Sequence, residues 1–91
     1  MTSLVFGTTE IKLAPGRPLV AGRDRLATLT LPDPHVSRQH ARIEAFQDGS
    51  VLVSDIGSVN GVLVSGERVP WALFNAGGEF TLGLTRVRVE A

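Results

Sequence analysis

Ninety-one residues and 9.7 kDa fit one small domain, because natural domains run from about 50 to 250 residues and so short a chain cannot divide into two buried cores. Nine basic residues balance nine acidic ones, and this zero net charge lacks the basic excess that a general nucleic-acid binder sets against phosphates. With no cysteine and only His35 and His40 as imidazoles, disulfide scaffolds, cysteine-based zinc sites and thiol catalysis are excluded, and no metal or cofactor site is expected.

Along the chain, apolar residues recur with period two, and no stretch keeps a helical stripe for a dozen residues, so the pattern predicts an all-β domain over residues 1–91, free-standing or part of a longer protein. The expected strands are residues 4–6, 10–13, 18–21, 28–31, 41–46, 50–55, 62–64, 67–69, 79–84 and 85–90. Ten glycines and five prolines mark most of the junctions between them. Ser65-Gly66 reads as the tip of a small hairpin, and Asn60-Gly61 carries a type I′ turn signal. Residues 70–74, Pro-Trp-Ala-Leu-Phe, read as an irregular apolar patch that either covers one end of the core or offers a partner surface. So many short strands imply two sheets facing each other, an antiparallel β-sandwich. No apolar run approaches the roughly 20 residues of a membrane span, and residues 4–7 are too short for a signal-peptide core, so a soluble, cytoplasmic monomer is expected.

Unusual polar side chains gather in three connecting segments, residues 22–25, 35–40 and 57–61. Sandwich loops cluster at the ends of the sheets, so three segments distant in sequence can build one shallow surface of guanidinium, hydroxyl and carboxamide groups. Eight of the nine basic residues are arginine, whose planar fork meets an oxyanion with paired hydrogen bonds. Such a surface suits a phosphate. Asn60 has a donor and an acceptor on one carboxamide, enough to engage a peptide main chain without reading its side chains.

Gly22-Arg23, Ser37-Arg38-Gln39-His40 and Ser58-Val59-Asn60-Gly61, in this order and at these spacings, closely resemble a forkhead-associated (FHA) domain. Asp55-Ile56-Gly57 before Ser58, Val64-Ser65-Gly66 in place of the usual Val-Asn-Gly, and residues 78–83 extend the resemblance over nearly the whole chain. It implies a sandwich of about eleven strands that binds phosphothreonine peptides through loops at one end, without catalysis, and so recruits substrates of a Ser/Thr kinase. By position, Arg23 would grip the phosphate and Ser37 would reach it with hydroxyl and backbone. Arg38 and Val59 would lie against phosphate or peptide, and Asn60 would bond the peptide main chain. Gly22, His40 and Gly61 would shape the loops, and His35 would read residues beyond the phosphothreonine. Val59 departs from the family pattern, which often places a hydroxyl or an arginine there. Val36 and Val59 are candidate neighbours for the phosphothreonine methyl group.

Other readings of the same residues stay open from sequence. Arg23 could be a solvated cation paired with Asp24, and Ser37 could cap a turn after Pro34. Ser37 and His40 could be a nucleophile and base oriented by Asp33 or Asp55, although no nucleophile-elbow motif accompanies them. Arg17, Arg42, Arg68, Arg86 and Arg88 read as solvated strand faces. An FHA-like domain that docks partners without phosphate, as in some bacterial secretion machines, is the alternative function.

Overall fold

The computed structural model describes residues 2–91, and among these it forms eleven strands and no helix. They are β1 (Ser3–Phe6), β2 (Thr9–Lys12), β3 (Leu19–Gly22), β4 (Leu29–Thr30), β5 (Ala41–Ala45), β6 (Val51–Asp55), β7 (Val62–Val64), β8 (Glu67–Val69), β9 (Trp71–Phe74), β10 (Glu79–Leu82) and β11 (Thr85–Glu90). One sheet has the order β2-β1-β11-β10-β7-β8 and the other β4-β3-β5-β6-β9. This is the sandwich of short strands that the period-two pattern predicts, with two corrections. First, β4 runs parallel to β3, through Ala21↔Leu29 and Gly22↔Thr30, while the other strand pairs are antiparallel. Residues 23–28 simply double back, and so tight a return permits no more than a two-residue strand.

The second correction concerns residues 70–74. Four of them are β9, an edge strand paired antiparallel to β6. Its alternation is present in burial, with Phe74 buried and Trp71 and Leu73 exposed, but all four residues are apolar, which hides the period in the sequence. At Ser65-Gly66 the expectation is met: both residues have positive φ, +51° and +82°, and Val64 pairs with Glu67 around a two-residue turn. Asn60-Gly61 differs, because only Gly61 has positive φ, so it is not a type I′ turn.

Inward side chains from both sheets form a single core that includes Leu4, Ile43, Val53, Leu82 and Val89. Burying each such side chain contributes about 1.5–3 kcal/mol before entropy is counted. The Phe74 and Phe80 rings stack at 5.2 Å between centroids and join β9 of one sheet to β10 of the other. A polar tie complements them. Asp33, buried in the β4–β5 loop, accepts from Leu84 N at 2.8 Å and from the Thr85 hydroxyl at 2.7 Å, and its other oxygen accepts from His35 N at 2.8 Å. Burial pushes the Asp33 carboxyl pKa up, but the Thr85 hydroxyl, the His35 and Leu84 amides and the nearby His35 ring outweigh it and hold the value below the ordinary range. The β4–β5 loop is thus fixed to the β10–β11 turn of the opposite sheet.

Candidate functional site

Pairing between β3 and β5 does not stop where the strands end. His40 N donates to Ala21 O at 2.9 Å, Arg23 N to Ser37 O at 2.9 Å and Asp24 N to Arg38 O at 3.2 Å. The backbones carrying Arg23 and Ser37 are therefore joined directly. Gly22 permits this approach, since a Cβ there would fall on the Arg38 carbonyl. Arg23 donates its Nε–H to Val36 O at 3.0 Å, and among the described residues its terminal nitrogens have no protein partner. Asp24 does not neutralise it: the Asp24 carboxylate accepts from Leu26 N at 2.9 Å and turns its own loop.

His40 is fully buried and links two of the three polar segments. Its Nδ1 accepts from Ser37 N at 3.0 Å, so the ring hydrogen lies on Nε2, which donates to Gly61 O at 2.7 Å. Both ring nitrogens are committed to backbone, which leaves no lone pair to activate Ser37. The Ser37 Oγ instead accepts from Val59 N at 3.0 Å. Neither acid orients the ring: Asp33 holds the β10–β11 turn, while Asp55 accepts from Gly57 N at 3.0 Å and Ser58 N at 2.8 Å. The Ser37–His40 pair is a loop brace and not a nucleophile–base dyad. Burial raises the Asp55 pKa, but the Ser58 amide and hydroxyl, the Gly57 amide and the Arg68 charge together bring it below the usual carboxylate range.

The loop of residues 56–61 is held from below by Arg68, which the sequence pattern places on a solvated strand face. Arg68 donates to Val59 O at 3.0 Å and Ser58 O at 3.1 Å and lies 3.6 Å from Asp55. Its stem fills the space beside Gly61, where φ is +81° and a Cβ would collide with it. The register of the β7–β8 hairpin, Leu63↔Arg68, brings it there, and the Ser65-Gly66 turn signal is the one sequence feature from which this could have been found. Ser58 closes the loop by accepting from Gly61 N at 2.9 Å, and Asn60 Nδ2 donates to His35 O at 2.7 Å.

These contacts leave a shallow depression of about 200 Å³ lined by Arg23, Pro34, His35, Val36, Ser37, Val59 and Asn60, with no carboxylate among them. Of the residues expected to bind, the Arg38 side chain is exposed but does not line it. Val36 is only 1% exposed whereas Val59 is 78% exposed, so of the two valines it is Val59 that presents apolar surface. Gly22, His40 and Gly61 lie behind the lining. Ser37 keeps its O–H to donate, Arg23 its two terminal NH₂ groups, and Asn60 its carbonyl and one N–H. A larger groove of about 510 Å³, lined by residues such as Phe6, Ile11 and Pro32, has no charged lining.

The FHA domain family model matches residues 19–83, which contain all three polar loops. The oxoglutarate dehydrogenase inhibitor of Corynebacterium diphtheriae is 39% identical over 67 residues, covering 74% of this chain but only 46% of that protein. The chain therefore spans about half the length of that relative. Among solved structures, the FHA domain of the CT664 protein from Chlamydia trachomatis superposes with a TM-score of 0.91 at 32% identity, covering 99% of this chain and 96% of the other. An FHA domain solved in a study of phosphothreonine-dependent FHA domain interactions gives 0.86 at 27% identity, with 99% and 95% covered. Sandwich topology, loop order and family match agree, and the chain belongs to the FHA domain family.

Proposed function

We propose that the three loops bind a phosphothreonine-containing segment of a partner protein, and that the domain thereby recruits a Ser/Thr-kinase substrate without catalysing a reaction on it. One observation carries this reading: Arg23 is fixed by its Nε–H in a depression free of carboxylates, with its terminal nitrogens unpaired among the described residues. A phosphate of about −1.5 to −2 charge supplies the missing partner, and the fork geometry of arginine suits it. The free Ser37 hydroxyl and the adjoining Asn60 carboxamide add contacts to phosphate and main chain. The phosphothreonine dependence in the FHA study named above supports the same ligand class.

Calorimetry against an oriented phosphothreonine peptide library, with unphosphorylated peptides alongside, tests this function. Binding should require the phosphate. Hydrogen bonds to charged groups contribute about 1.5–3 kcal/mol, so Arg23→Ala or Ser37→Ala should weaken it roughly ten- to a hundredfold while melting changes little. Equal affinity for phosphorylated and plain peptides would instead favour phosphate-independent docking.

A further inference from the structure

We propose that Asn60-Gly61 is a guarded deamidation site, at which opening of the loop converts the Asn60 carboxamide to a carboxylate and ends phosphopeptide binding. The attacking atom is the Gly61 main-chain nitrogen. Once it has lost its proton it adds to the Asn60 side-chain carbonyl carbon; an N–C bond forms, Nδ2 departs as ammonia, and the five-membered imide adds water and opens to aspartate or isoaspartate. The net change is one amide and one water for one carboxylic acid and one ammonia, with nothing oxidised or reduced. Glycine is the successor that shields this nitrogen least, because it carries no side chain. Of the two asparagines only Asn60 has such a successor, since Asn75 is followed by Ala76.

In the folded loop both reacting groups are held. Gly61 N donates to Ser58 Oγ at 2.9 Å in a buried position, where burial penalises the amide anion that the reaction needs. Asn60 Nδ2 donates to His35 O at 2.7 Å, which ties the carboxamide to the β4–β5 loop. Gly61 O is bonded to His40 Nε2 at 2.7 Å, and the Arg68 stem fills the space beside Gly61, so the attacking peptide cannot swing without displacing both. A site held in this way reacts through local opening, and its rate follows how often the loop comes apart. The product changes the chemistry of the surface. No carboxylate lines the depression, and one created at position 60 would share it with the unpaired terminal nitrogens of Arg23, competing for them and repelling a phosphate. That loss of binding rests on the phosphopeptide reading of the site, whereas the guarding does not.

Peptide mass mapping of protein held in mildly alkaline buffer tests the guarding, because exchange of NH₂ for OH at Asn60 changes the mass and Asn75 serves as an internal reference. Asn60 in the folded parent should react roughly tenfold or more slowly than in the same chain in urea. Ser58→Ala should speed the folded reaction about three- to tenfold, and Ser58→Thr, which keeps the hydroxyl, should restore the parental rate. If Ser58→Ala does not fold, Arg68→Met takes its place with the same expectation. Calorimetry on fresh parent checks phosphopeptide binding by itself; in aged samples the binding-competent fraction should fall in step with the modified fraction, and Asn60→Asp should bind roughly tenfold or more weakly. Equal rates in folded and urea-unfolded parent, or a folded Ser58→Ala that reacts no faster, would overturn the guarding. Modified protein that binds like fresh parent would overturn the loss of binding alone, and fresh parent that binds no phosphopeptide would overturn it together with the functional reading.

Discussion

Val59 presents its side chain to solvent at the rim of the depression, while its amide is bound to Ser37 Oγ. Its apolar tip can contact a ligand but cannot donate to a phosphate. Replacing it with the nearly isosteric threonine adds a hydroxyl at that place, and a net hydrogen-bond gain of about 0.5–1.5 kcal/mol should tighten phosphopeptide binding a few-fold. Calorimetry should show no matching gain for the unphosphorylated peptide; a gain for both would mean that the hydroxyl meets peptide and not phosphate. His40 lies behind the same surface, and its effect should be of another kind. His40→Ala leaves the part-buried Ser37 N–H and the buried Gly61 C=O without partners, at about 1–3 kcal/mol for the buried group plus lost packing. The melting temperature should fall along with affinity, whereas a variant that melts like the parent would show that the loops hold without the ring. That Arg23, Ser37 and Asn60 gather at one depression with His40 behind it was legible in the sequence, because their spacing matches a family pattern. The bond that Asp24 makes within its own loop and the one that Asn60 makes to the His35 carbonyl of the neighbouring loop were not, because such bonds depend on how the loops fold back and meet.

At the level of the strand, period two located ten of the eleven elements, and the miss has a definite cause. Trp71, Ala72, Leu73 and Phe74 alternate in burial without alternating in polarity, so the pattern that identifies β5 or β11 gives no signal for β9. Arg68 is the complementary case. It looks like a polar outward residue of β8, and only the hairpin register reveals that it reaches under the neighbouring loop. Arg68→Met keeps the stem beside Gly61 and removes the bonds to the Ser58 and Val59 carbonyls. Loss of that support should lower phosphopeptide affinity about three- to tenfold with little change in melting, since exposed charged contacts add little to stability. Arg68→Lys should recover only part of the loss, because a single ammonium does not reproduce the two-pronged contact. Unchanged affinity in both variants would mean that the remaining bonds hold the loop without Arg68.

Across the whole molecule, the two sheets are tied by a stacked phenylalanine pair and by the Asp33 carboxylate. A folded pKa held below the unfolded value, about 3.9, stabilises the fold fully above that value, and the contribution is lost as pH falls through the folded one. Asp55 and Asp48 are lowered too, Asp48 chiefly by the Ser50 hydroxyl, so all three act in the same direction. The melting temperature should therefore be level from about pH 7 to about pH 5 and decline below about pH 4. Asp33→Asn should melt lower at neutral pH, because its NH₂ would face an N–H or O–H donor, and its acid decline should be shallower. A parallel acid decline in both proteins would remove Asp33 from this role.

The same tie has a consequence for the order in which the molecule is completed. Asp33 fixes the segment that carries Ser37, yet its partners Leu84 and Thr85 come 51 and 52 residues later in the chain. Closing so long a loop is slow compared with forming a local hairpin. During synthesis, Arg23 and Ser37 leave the ribosome well before the residues that hold their loop, and the domain becomes able to bind only when its last hairpin has joined the sheet. Truncated nascent chains that stop short of Leu84 should be unable to capture phosphopeptide, so a partner cannot engage a half-made copy.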